Sequence, residues 1–162
     1  MRYRWVAFLV FVALIAALIA FQFSGFAGYF LADEAGQARL QSSDPQMVEL
    51  GNRIYQENCA SCHGANLEGQ PNWRRANADL TMPAPPHDQS GHTWHHNDET
   101  LFKLTKFGVS ALVKDQSYKS NMPAYEGVLE DREIIAVLSY IKSRWPKSMQ
   151  QRHDKLNEAT RR

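Results

Sequence analysis

Apolar positions fall into two regimes along this chain. The first is an unbroken run from Trp5 to Phe21, 17 residues long. The second is periodic. Met47, Leu50, Gly51, Ile54 and Tyr55 recur at helical spacing, after an Asp44-Pro45 pair suited to cap a helix and open its first turn. Leu101, Leu104 and Thr105 share one face of a second predicted helix, Glu99 to Phe107, with Asn97 or Asp98 as cap and Gly108 closing it. Ile134, Val137, Leu138 and Ile141 form the stripe of a third, from Asp131 to Arg144, which Pro146 ends. No segment alternates with period two over strand length, so the fold class is all-α. Two loop regions separate the helices, 64–97 and 109–128. The first is punctuated by Gly64, Gly69, Pro71, Pro83, Pro85, Pro86 and Gly91. After Pro146 the tail is polar, a solvated helix or a disordered end.

The amino-terminal run sets the compartment. Arg2 and Arg4 precede it and no acidic residue occurs before Asp33. Positive charge on the short side keeps that end in the cytoplasm, so the chain beyond the run is exported. The run exceeds the about 7–15 apolar residues of a cleavable signal and approaches the roughly 20 that span a bilayer. Residues 1–27 therefore read as a single transmembrane anchor, with Gly25-Phe26-Ala27 as the cleavage site of the signal-peptide alternative. Residues 28–43 read as a linker, 44–146 as the folded domain and 147–162 as the polar tail. Of the 18 Lys and Arg residues, Arg2 and Arg4 lie before the run, which leaves 16 against 17 Asp and Glu. An exported part so close to neutral has no character of a nucleic-acid binder.

Both cysteines lie in Cys59-Ala60-Ser61-Cys62-His63. Cysteines three apart share one face of a helical turn, and His63 adds a nitrogen four residues beyond the first. The C-x-x-C-H string reads as a site of covalent c-type haem attachment, with His63 on the iron. A disulfide across so small a loop would stabilise little. A zinc site needs four ligands, and no finger spacing accompanies the pair. Long loops in a small domain become intelligible once a porphyrin serves as part of the core.

Together with Met122-Pro123 and a terminal amphipathic helix, this string makes residues 44–146 resemble the class I cytochromes c. That resemblance implies a monohaem fold of helices and long loops around one haem c, joined through Cys59 and Cys62. It implies Met122 as the second axial ligand. It also implies that a proline carbonyl, matched here by Pro71 in Gly69-Gln70-Pro71, accepts the Nδ1–H of His63. Gly51 and Tyr55 would face the last helix, with Tyr140 against the glycine. Two axial ligands leave no position for a substrate, so the expected role is one-electron transfer rather than catalysis. The expected partners are redox donors and acceptors at the periplasmic face of a bacterial inner membrane, or in the periplasm if the leader is cleaved.

Other residues compete or assist. Met82, also followed by proline, and His87 or His92 are rival sixth ligands. Trp73, Arg74, Arg75 and Trp94 are candidate donors to the haem propionates, because buried carboxylates need indole or guanidinium N–H groups. His92, His95 and His96 raise the alternative of a metal-handling or haem-sensing protein. Lys103, Lys106, Lys114 and Lys119 could dock an acidic partner. A haem subunit held permanently in a membrane oxidoreductase is the nearest rival to a mobile carrier.

Overall fold

The computed structural model describes residues 38–113 and 118–161. The predicted anchor at 1–27 and the linker up to residue 37 lie outside them. Among the described residues, no helix is long and apolar enough to cross a membrane.

The first helix, α1 (Pro45–Asn58), starts where its capping chemistry directs. Asp44 accepts from the amides of Gln46 and Met47, and proline occupies the first turn. It buries Met47, Gly51, Ile54 and Tyr55. The short turn α2 (Ala60–His63) follows directly. Next come a two-residue strand β1 (Thr81–Met82), a 3-10 turn (Thr93–His95) and α3 (Asp98–Phe107). The α3 cap is Asn97, whose side chain accepts from the Thr100 amide, and Gly108 closes it at φ +81. A four-residue helix α4 (Val109–Leu112) and strand β2 (Lys119–Ser120) lead to α5 (Asp131–Ser143). At the start of α5 the Glu133 carboxylate accepts from the Glu130 amide, so a glutamate pair does what a Ser or Thr cap would do.

The core forms where α1 crosses α5. It comprises Met47, Ile54, Tyr55, Ile134, Ala136, Val137, Leu138 and Ile141, with Leu67, Leu101 and Trp145. Gly51 permits the crossing. A β-carbon there would collide with the Ala136 carbonyl oxygen and lie 2.9 Å from Tyr140 Cβ. Glycine mid-helix costs about 1 kcal/mol in propensity, and close backbone approach offsets it. The rings of Tyr55 and Tyr140 meet beside this point with centroids 5.5 Å apart.

Three features depart from the sequence reading. The helical fold contains one small parallel ladder, Thr81 opposite Lys119 and Met82 opposite Ser120. Strands of two residues are too short for alternation to register. The compact unit begins at Ala38 rather than 44, because the end of the expected linker is tied down. Leu40 N–H donates to Asp98 Oδ2 at 3.1 Å, and Gln41 N–H donates to Ser139 Oγ at 2.8 Å.

The third correction concerns the tail, which is neither disordered nor a fully solvated helix. Residues Lys147–Thr160 form α6, whose buried face is polar: Gln150, His153 and Asn157. Hydrogen bonding, not an apolar stripe, holds it. Asn157 exchanges two bonds with Asp98, accepting from its amide at 2.8 Å and donating to its carboxylate at 2.9 Å. The fully buried His153 donates from Nε2 to the His96 carbonyl at 2.8 Å and receives Asn157 Nδ2 at Nδ1, 3.2 Å away. Donor at one nitrogen and acceptor at the other describe a neutral imidazole. Accordingly, burial and then the nearby Lys142 charge push His153 below its ordinary pKa of 6.5, against the opposing pull of Asp98.

Candidate haem site

Cys59 closes α1, its N–H donating to the Tyr55 carbonyl at 2.9 Å. The chain breaks slightly at Cys59 (φ −118, ψ −37) and continues as α2. Amides of Cys62 and His63 both donate to the Cys59 carbonyl, so the pentapeptide forms one hydrogen-bonded turn. Tyr55 Oη donates to the Gly64 carbonyl at 2.8 Å and fixes the exit from that turn. Both cysteines are unpaired, Cys59 half-buried and Cys62 exposed, so the disulfide reading is not realised. Burial pushes the Cys59 thiol up to about 11, despite a hydrogen bond with Tyr125 that pulls the other way. Such a thiol is not a redox-active thiolate.

His63 is buried. Its Nδ1 donates at 2.8 Å to the carbonyl of Pro85, which is the acceptor that the resemblance led one to seek at Pro71. The two proline segments lie side by side. Gln70 N–H donates to the Ala84 carbonyl and Ala84 N–H to Gln70 Oε1, which leaves Pro71 exposed while Pro85 faces the imidazole. Gly69 makes this docking possible, because a β-carbon there would strike the Pro85–Pro86 peptide. Burial, against the opposing Pro85 bond, lowers the His63 pKa below 6.5. A neutral ring with Nδ1 engaged offers its Nε2 lone pair to a metal.

His87 does not stand opposite His63 as a rival ligand. Its ring stacks on the His63 ring, centroids 4.0 Å apart and planes 21° from parallel. With an iron on His63, a ring stacked on that imidazole would lie on the same side and would not supply the opposite ligand. Burial, then the neighbouring imidazoles of His63 and His92, hold His87 well below 6.5 and therefore neutral. His92 stacks instead on Trp73, at 5.3 Å.

Met122 is half-buried, and its N–H donates to Ser120 Oγ at 3.1 Å. Three residues on, Tyr125 Oη donates at 2.7 Å to the Asn58 carbonyl, next to Cys59. This bond pins the Met122 loop to the end of the helix that carries the attachment turn. The β1–β2 ladder runs from the start of the same loop to the strand just before Pro83, so the loops bearing Pro85 and Met122 are joined. Met82 lies in β1, in register with Ser120.

The propionate candidates divide. Trp94 Nε1 is buried without an acceptor among the described residues. An orphaned indole donor is what a haem carboxylate would satisfy, and it supports the fit of the prosthetic group. Arg74 instead lies over the Trp73 ring at 4.1 Å, in a stack that continues to His92. Arg75 is exposed. The histidines of 92–96 do not converge: among the described residues no three His, Cys, Asp or Glu side chains could hold a metal ion. Of the lysines, Lys103 pairs with Glu99 at 3.0 Å and Lys106 with Asp131 at 2.6 Å. Lys119 is exposed in β2, and Lys114 lies outside the described residues.

Pro85, Tyr125 and Trp145 are site residues that spacing did not select, whereas His87, expected as a rival ligand, lies against the His63 ring instead. Trp145 donates its Nε1–H to the His87 carbonyl at 2.8 Å. Only Pro85 had a usable signal, the run of prolines at 83–86.

Comparison with known proteins agrees with this geometry. A family model for cytochrome c matches residues 48–145. The chain is 27% identical over 101 residues to a Cbb3-type cytochrome c oxidase subunit CcoP from Azospirillum brasilense, covering 62% of this chain and 30% of that protein. It is 27% identical over 106 residues to a Cbb3-type cytochrome c oxidase subunit FixP from Bradyrhizobium sp. (strain ORS 278), covering 62% of this chain and 32% of that one. The chain thus spans about a third of the length of these relatives. No solved structure matches it. Free thiols in one turn, a neutral buried imidazole with an open nitrogen and an orphaned indole donor fit a covalent haem c that serves in electron transfer. The chain belongs to the cytochrome c family.

Proposed function

We propose that this chain is a one-electron carrier rather than an enzyme, with its haem c held axially by His63 and Met122. When bound, the haem supplies an iron that alternates between two oxidation states. Cys59 and Cys62 would hold the macrocycle through thioethers, and Trp94 would donate to a propionate. Pro85 orients His63 and raises the basicity of its Nε2. A methionine thioether at the sixth position favours reduced iron and so raises the potential. Pro123 keeps Met122 extended, and Tyr125 holds the loop against the attachment helix. The single observation that carries this reading is the Tyr125–Asn58 bond, which brings the loop of the half-buried Met122 to the end of α1.

Export past the apolar run at 5–21 would put the carrier in the periplasm, tethered by residues 1–27 to a bacterial inner membrane and exchanging electrons with other redox proteins. Similarity to two oxidase subunits favours a second reading, a haem subunit resident in a terminal oxidase. Co-purification with other cytochrome c oxidase subunits in mild detergent would select it. The ligand assignment is tested by substitution. Met122→Ala should abolish the sulfur-to-iron charge-transfer band and lower the potential, while Met82→Ala leaves both intact. The reverse outcome would move the sixth ligand to Met82.

A further inference from the structure

We propose that His87 is a positioning residue for the iron-ligating imidazole, fixing the plane of His63 and lowering the haem's reduction potential through its stacked ring. This inference rests on His63 as an iron ligand and is independent of which group takes the sixth position.

The geometry is over-determined. The His87 ring lies 4.0 Å from that of His63, with planes 21° apart. Both backbone ends of His87 are tied: its N–H donates to the Leu67 carbonyl at 2.8 Å, and its carbonyl accepts from Trp145 Nε1 at 2.8 Å. Its own Nδ1 bonds the hydroxyl of the buried Thr93 at 2.8 Å. A residue tied at both backbone groups and at one ring nitrogen presents a fixed wall, not a mobile neighbour. Pro85 holds one edge of His63 in the ring plane, which still permits tilting about the Nδ1–H···O axis. A wall parallel to the ring removes that freedom. The two constraints come from one stretch of chain, 85–87, which would specify the imidazole plane as a unit.

The electronic consequence has a sign. An aromatic face carries negative charge density and attracts a partner that becomes more positive. His63 becomes electron-poorer when the iron it ligates is oxidised. A neutral ring stacked on it therefore favours the oxidised state, and its loss should raise the potential.

The test uses the full chain with its haem. The spread of paramagnetically shifted haem-methyl resonances in the oxidised protein reports the axial imidazole plane, and a redox titration gives the potential. His87→Leu should change the order or spread of the methyl shifts and displace the potential upward, with the sulfur-to-iron band unchanged. His87→Phe restores a stacked face without the Thr93 bond and should return both readouts most of the way. Thr93→Val leaves the stack but frees the ring, and should alter the methyl pattern less than His87→Leu. Wild-type methyl shifts and potential in His87→Leu would overturn the proposal. So would a Phe variant that behaves like the Leu variant, since the face would then be irrelevant. Should His87→Leu fail to fold, the Phe and Thr93→Val variants decide alone: a wild-type methyl pattern in Thr93→Val, or a potential displaced far from wild type in either variant although the stacked face is kept, would overturn it. Loss of the sulfur band in Met122→Ala bears on the sixth ligand and leaves this result untouched.

Discussion

On the histidine side of the site, Pro85 grips His63, His87 lies against it, and Trp145 and Leu67 tie His87 into the α1–α5 core. On the methionine side, Met122 rides between two ties, Ser120 Oγ at its own amide and the Tyr125 hydroxyl three residues later. The first side cannot shift without opening a helix crossing. The second can open for the loss of a few hydrogen bonds, and local opening is drawn from such low-stability segments. With Met122 and His63 as the proposed axial pair, ligand exchange should therefore begin at Met122 and spare His63.

The contrast can be broken most severely at the crossing. Gly51→Leu places a side chain where even a β-carbon would meet the Ala136 carbonyl. Overpacking against backbone should cost about 3 kcal/mol or more. Denaturant unfolding of the haem-loaded protein checks this, and a loss below about 1 kcal/mol would show that the helices separate easily. Tyr125→Phe is the intermediate case. Losing one partly buried hydrogen bond costs about 1 kcal/mol, which corresponds to roughly fivefold easier opening of the loop. Exogenous imidazole should bind the oxidised variant about fivefold tighter, with the unfolding midpoint lowered by only a few degrees. Unaltered imidazole affinity would mean that Tyr125 does not guard Met122.

The smallest effect lies behind the histidine side. Trp145 and His153 meet edge to face at 5.1 Å, so α6 backs the residue that ties down His87. His153 has a folded pKa below its ordinary 6.5. The unfolded chain then binds more protons than the folded one once pH falls below 6.5, and stability drops on acidification. The slope from this group is at most about 1.4 kcal/mol per pH unit. Unfolding midpoints should fall between about pH 7.5 and about pH 5.5, and fall less in His153→Gln. A midpoint that rises on acidification would contradict a neutral His153.

Apolar periodicity and caps carried most of the helical frame. Asp44-Pro45 opened α1 and Asn97 and Gly108 bounded α3, whereas the meeting of Gly51 with Tyr140 at the crossing was legible only through the family resemblance. The pentapeptide at 59–63 carried the haem. Pro85 was not distinguishable from Pro71, because the segments that bear them dock side by side and spacing along the chain does not say which carbonyl meets the ring. The α6 helix was invisible for another reason. Its inner face is Gln150, His153 and Asn157, and a pattern that looks for apolar stripes reads such a face as solvated. Asp98 reads in the sequence as the alternative cap to Asn97, but its carboxylate binds Asn157 and the chain entering the domain at Leu40.

In the proposed carrier a covalently held haem, closed at both axial positions, passes single electrons. A redox titration of the full haem-loaded chain, followed by visible absorption, tests it most directly. The predicted result is one reversible one-electron transition, low-spin in both states, with a sulfur-to-iron band only when oxidised. A high-spin spectrum in either state would reveal an open axial position and contradict the account.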